Sequence, residues 1–106
     1  MQQASDQLAA LADPTREKIF RLIRMTPSSV RELTDQVGIS QPAVSQHLKV
    51  LREASLVVAT PRGASNIYSV NPAGVEVLRE WIEALWDDVL ERFVDAAAAQ
   101  GEETTS

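Results

Sequence analysis

Gln41, Ser45, Gln46 and Lys49 recur at helical spacing in the middle of the chain, with Pro42 and Glu53 on the same side. Val44, Leu48 and Leu51 fall in a narrow arc opposite them. A helix that enters the major groove of DNA needs this division: one apolar face to hold its angle, and polar side chains on the other. Glutamine can grip adenine through two hydrogen bonds, serine can reach several base edges, and a lysine one turn on suits phosphate. His47 lies beside the apolar arc, and two roles are open to it: a half-buried structural imidazole or a contact to DNA. Catalytic chemistry finds little to work with. There is one histidine, no cysteine and no glycine-rich phosphate loop, so no enzyme activity and no cofactor are expected. The missing cysteines exclude disulfides, thiolate metal sites and a thiol nucleophile. Glu76, Glu80, Glu83, Asp87 and Glu91 line one face of a later helical segment. They read as a solvated acidic face, and no metal site is expected.

The elements that must position these residues follow from local signals. Gln3–Ala12 forms a short helix with Leu8 and Leu11 on one face. Asp13-Pro14 starts the next, over about 14–25, with Asp13 as cap and Pro14 in the first position. Thr26-Pro27-Ser28-Ser29 ends it and caps a third helix, on which Leu33 and Val37 face inward. Gly38 occupies the usual left-handed stop. Ser40 caps the polar-faced helix, about 41–54, with Pro42 in its first turn. The segment 56–60 then reads as a strand, 61–66 as a loop and 67–70 as a second strand. This hairpin, with Arg62 and Asn66 near its tip, is placed as a wing beside the DNA backbone, over about 57–70. Asn71-Pro72 opens a last helix to about Ala96, and 97–106 is expected to be a flexible tail.

The fold class is therefore mainly α with a small β-hairpin, in the order α-α-α-α-β-β-α, a winged helix-turn-helix within a single domain of residues 1–96. The chain is 106 residues long, enough for one domain. No apolar run approaches a membrane span, and the first residues lack signal-peptide character. A cytoplasmic location away from membranes is the expectation. The net charge of −5 argues against nucleic acid only as an average. Residues 13–70 carry eight Lys/Arg against five acids, and residues 71–106 two Arg against nine acids. Local patches decide electrostatic steering, so the middle of the chain can still meet phosphate.

Val75, Leu78, Trp81, Ile82, Leu85, Trp86, Val89, Leu90 and Phe93 cover about half the circumference of the last helix, wider than the roughly 100° stripe of a one-sided surface helix. A chain this small has little core to cover, and such a patch is expected to bury itself against a second copy. The expected homodimer interface comprises Leu8 and Leu11 of the first helix with Leu78, Trp81, Ile82, Leu85, Trp86, Val89 and Phe93 of the last.

The run from Leu11 to Arg16 (Leu-Ala-Asp-Pro-Thr-Arg) and the run from Ile39 to Ala54, with Ser45-Gln46-His47-Leu48-Lys49-Val50-Leu51 at its centre, resemble the ArsR/SmtB winged-helix repressors of bacteria and archaea. The similarity spans about residues 8–95 and continues through Leu56-Val57 into a wing ending at Tyr68. It implies a homodimer on a palindromic operator, released by a signal. It also implies the branch without the cysteine metal site, since Val30–Asp35 has no cysteine and the last helix no histidine. Ser55 stands where the family usually has glycine, and a left-handed serine there costs about 1 kcal/mol. The wing holds one arginine, fewer than is typical, which implies modest phosphate affinity.

The expected function is sequence-specific transcriptional regulation through double-stranded DNA carrying an inverted repeat, with a small-molecule effector among the open signals. Gln41, Pro42, Ser45, Gln46 and His47 are the candidates for the groove. Lys49, Arg62 and Asn66 are those for the backbone, joined by Val30 and Arg31 at the start of the third helix. Arg16 either pairs with a carboxylate in the fold or touches phosphate. The alternative is a winged-helix module that binds a protein through its apolar last helix and has little DNA affinity.

Overall fold

The computed structural model describes residues 2–105, with side-chain burial described for residues 2–99. Its helix starts are built from the caps that the sequence offers. Helix α1 spans Gln2–Leu11 and α2 spans Pro14–Met25. Between them the Asp13 carboxylate accepts a 2.9 Å hydrogen bond from the Arg16 amide, which satisfies one of the orphan donors of the first turn. Helix α3, Val30–Val37, begins with a full capping box: Ser29 Oγ accepts from the Glu32 amide, and the Glu32 carboxylate accepts from the Ser29 amide. It ends at Gly38 in the left-handed conformation, φ 78°. Ser40 then caps α4, Gln41–Glu53, through a bond from the Ala43 amide.

Strands β2 (Val57–Arg62) and β3 (Ser65–Val70) pair antiparallel from Val57↔Val70 to Arg62↔Ser65. The strands are longer than the sequence suggests, and the expected six-residue loop shrinks to the pair Gly63-Ala64. Gly63, at φ 60°, takes the first central position that a two-residue turn of the II′ kind reserves for glycine. Pro61 is tolerated because β2 lies at the sheet edge, where a missing amide disrupts no further pairing. A third strand, β1 (Ser28–Ser29), pairs antiparallel with Tyr68 and Ile67. The sequence reading treats these serines only as a cap. The extended backbone that a cap requires also gives β3 its second neighbour.

Helix α5 runs Pro72–Thr105. It continues past the boundary expected at Ala96, and the segment expected to be a flexible tail is helical through Thr105. Four consecutive alanines, Ala96 to Ala99, are the strongest helix formers and no proline interrupts them. The sequence reading stopped where the large apolar residues stop, although propensity alone carries a helix further.

The core lies among α2, α3, α4 and the wing base, where Ile19, Ile23, Leu33, Val44, Leu48, Leu51, Leu56 and Val57 are almost wholly removed from water. Val37 is half-buried against them. Burying each such side chain is worth roughly 1.5–3 kcal/mol, so α4 is held chiefly by its apolar arc. In α1 the inward face is Ala4, Gln7 and Ala10, which leaves Leu8 outward.

A polar junction fixes α5 to the end of α4. Ser55 leaves α4 at φ 62°, the left-handed geometry that the missing glycine implied. Asn71 Nδ2 donates to the Ser55 carbonyl at 3.1 Å, and Gln7 Nε2 donates to the Gly74 carbonyl at 2.7 Å inside the core. A β-carbon at Gly74 would overlap the Ser55 carbonyl oxygen, so the first turn of α5 can approach this closely only with glycine.

Candidate nucleic-acid interface

Helices α3 and α4, joined through Gly38 and Ser40, form the helix-turn-helix. On α4 the residues Gln41, Pro42, Ser45, Gln46 and Lys49 are all exposed, and Val44, Leu48 and Leu51 are fully buried behind them. The burial of one face sets the direction of the other. Lys49 sits one turn beyond Ser45, and no ion pair engages it among the described residues.

His47 is half-buried, with Nδ1 shielded from water and without a hydrogen-bond partner. It lies close enough to Asp13 to act on that carboxyl. The Asp13 pKa falls below its ordinary value, first through the Arg16 amide hydrogen bond, which outweighs the opposing effect of burial, with lesser help from the Arg16 and His47 side chains. His47 is thus partly withdrawn from water, unlike its exposed neighbours Gln46 and Lys49.

Arg16 is drawn into the fold. Its Nη1 donates to the Ala10 carbonyl at 3.1 Å, its Nε is buried, and the side chain is half-buried. The guanidinium meets the carbonyl end of α1, where a helix accumulates partial negative charge. The partner found inside the fold is thus a backbone carbonyl, where the sequence suggests a carboxylate.

Arg62 and Asn66 flank the wing turn and are exposed. The wing tip and the starts of α3 and α4 enclose a cleft of about 550 Å³, lined among others by Val30, Arg31, Gln41, Ser65 and Asn66. Gln41, Val30 and Asn66, far apart in sequence, thus meet at one concave surface. Val30 is half-buried and also packs on the core. Sequence reasoning names Arg31, with Val30, as a backbone contact at the start of α3, and does not single out Ser65. Their meeting in one cleft depends on β1 pairing with β3, which carries the start of α3 up to the wing, and no local pattern announces that pairing.

Arg21 pairs with Glu17, Arg79 with Glu76 and Glu83, and Arg92 with Asp88. Arg31, Lys49, Arg52 and Arg62 are exposed and outside any ion pair among the described residues. Lys18 and Arg24 of α2 are likewise exposed and outside any ion pair among the described residues, so four of these six cations lie on α3, α4 and the wing, and the paired ones of α5 sit within its acidic face. No cluster of metal-ligating side chains occurs among the described residues.

The expected dimer residues divide. Leu11 and Leu78 are half-buried against the chain's own core, and Trp81 is half-buried. Leu8, Ile82, Leu85, Trp86, Val89 and Phe93 are exposed, Phe93 by 70%, together with Leu90 and Val94.

A buried-backed polar helix beside a two-stranded wing defines a winged helix-turn-helix DNA-binding domain. A family model described as bacterial regulatory protein, arsR family, matches residues 13–58. An HTH-type transcriptional regulator of Mycobacterium tuberculosis, Rv2034, is 38% identical over 95 residues, covering 90% of this chain and 89% of the relative. The transcriptional repressor SdpR of Bacillus subtilis is 29% identical over 73 residues, covering 69% of this chain and 81% of its own length. The crystal structure of a possible transcriptional regulator for arsenical resistance superposes with TM-score 0.70 at 37% identity, over 84% of this chain and 93% of that one. The chain belongs to the ArsR family of transcriptional regulators and acts through DNA. No described helix is long and apolar enough to cross a membrane.

Proposed function

We infer that the chain is a dimeric repressor that binds an inverted-repeat operator in double-stranded DNA and is released by an effector. One observation carries this reading: α4 turns Gln41, Pro42, Ser45 and Gln46 outward on a helix whose other face is locked in the core. Gln41, Ser45 and Gln46 read base edges, with Pro42 packed against the groove and His47 holding the helix from behind. Lys49, Arg62, Asn66 and the start of α3 at Val30 contact the backbone and set the register. The Bacillus relative is named a repressor, which supports the same direction of regulation here.

The dimer forms through Leu8 of α1 and Ile82, Leu85, Trp86, Val89 and Phe93 of α5, with Trp81, Leu78 and Leu11 at its inner edge. An unpartnered apolar face of this size on a monomer is unfavourable in water. Pairing also sets two α4 helices about one DNA turn apart. The site lies in the cytoplasm with the DNA that it reads.

Nuclease footprinting on the promoter DNA of the chain's own gene tests this. Two protected half-sites related by a dyad, with centres roughly 34 Å apart along the DNA, are the expected result. Uniform weak protection from a well-folded dimer would contradict it and turn attention to a protein partner for α5.

A further inference from the structure

The cleft between the start of α3, the start of α4 and the wing tip has no assigned occupant. Ser29, Arg31, Gln41, Ser65 and Asn66 line it, each with a side chain able to donate hydrogen bonds. Arg31 is the charged residue of that lining, exposed and outside any ion pair among the described residues. The neighbouring acid, Glu32, is engaged in the capping box at the edge of the cleft. Its carboxylate accepts from the Ser29 amide at 3.0 Å and lies close enough to Arg62 to feel that charge. Arg62 stands outside the lining, partly balanced by Glu32, although it is the single arginine of the wing.

We propose that this cleft seats a backbone phosphate of the DNA strand that passes between the reading face of α4 and the wing, with Arg31 as its cation and Ser65 and Asn66 as neutral donors. The proposal rests on the DNA-reading assignment of α4. A helix in the major groove brings one bordering sugar–phosphate strand against its first turn, and the hairpin closes the far side of the same strand. A lining of one unpaired cation and several neutral donors, without a carboxylate, is matched to a singly charged phosphodiester. It also gives the domain a phosphate contact that supplements Lys49 and Arg62.

The test uses the full chain and its Arg31→Ala and Arg31→Lys variants on promoter and scrambled duplexes, with affinity followed against salt. Each phosphate neutralised on duplex DNA contributes about 0.9 to the slope of log affinity against log salt. Arg31→Ala is expected to flatten the slope by about that amount per bound protomer and to weaken both duplexes by the same factor, whereas Arg31→Lys restores the slope. A single neutral methylphosphonate is then stepped along the promoter strand. At one position it should weaken the native protein and leave Arg31→Ala no weaker than before. An unchanged slope for Arg31→Ala, or effects that multiply at every position, would overturn the proposal while the DNA-reading assignment stands. A native protein without salt-steep, promoter-selective binding would overturn both.

Discussion

The proposed reading gives the two ways of touching DNA to different residues of α4, so they separate by measurement. Gln41 and Ser45 are exposed on the face proposed to meet base edges, where a good bidentate contact discriminates by about 1–3 kcal/mol. Gln41→Ala should therefore lower the ratio of specific to scrambled-DNA affinity by roughly ten- to a hundredfold, with little change in salt dependence. Lys49→Ala should weaken both duplexes alike and flatten the salt slope by about one. Competition binding on the two duplexes reads both effects. Asp13 acts on the fold. The carboxylate that caps α2 has a lowered pKa, because its charged form accepts the Arg16 amide. A depressed carboxyl pKa means stability that is complete above the unfolded-state value and disappears as pH falls through the folded one. Asp13→Ala should thus lower the melting temperature at pH 7, and the deficit should shrink below pH about 3.8, the ordinary carboxyl value. A thermal-denaturation series across pH checks this. Gln41, Ser45 and Lys49 were legible as one face because helical spacing places them together. The contact of Arg16 with the Ala10 carbonyl was not, since it depends on where α1 ends in space.

Among the elements, α4 is the one whose orientation matters most, and its anchors are Val44, Leu48 and Leu51. Leu48→Ala removes a fully buried side chain and should destabilise the domain by about 2–5 kcal/mol in chemical denaturation. The junction behind α4 gives a paired prediction. Gly74→Ala would drive a methyl group into the Ser55 carbonyl and should force α5 away, lowering stability. Ser55→Gly should raise it by about 1 kcal/mol by relieving the left-handed serine. Helix starts were legible because Asp13, Ser29 and Ser40 carry their own capping chemistry. The left-handed exit at Ser55 was legible only against the family pattern. Strand β1 and the full length of the wing strands were not, because strand pairing is a contact between distant segments. The end of α5 was missed for the opposite reason: Ala96–Ala99 continue the helix on backbone propensity, without the apolar pattern that marked its earlier turns.

The whole molecule is elongated, 72 × 26 × 22 Å, because α5 projects well beyond the domain that it starts from. At about 1.5 Å per residue its 34 residues reach roughly 51 Å. The division of charge follows the same axis, with exposed, unpaired Arg and Lys on α2, α3, α4 and the wing, and acids along α5. A net charge of −5 is thus compatible with binding DNA at one end. The exposed Trp86 and Phe93 belong to the apolar face of the projecting helix. Trp86→Glu with Phe93→Glu should shift the sedimentation coefficient from that of a dimer to that of a monomer, and should weaken operator binding by removing the second half-site contact. The most direct test of the central claim is fluorescence anisotropy of the native chain on its own promoter DNA against scrambled DNA, titrated from low to moderate salt. Tight, promoter-selective binding that falls steeply with salt is the expected result, since released counterions accompany each phosphate contact. Equal, weak binding to both duplexes by a folded dimer would contradict DNA reading by α4.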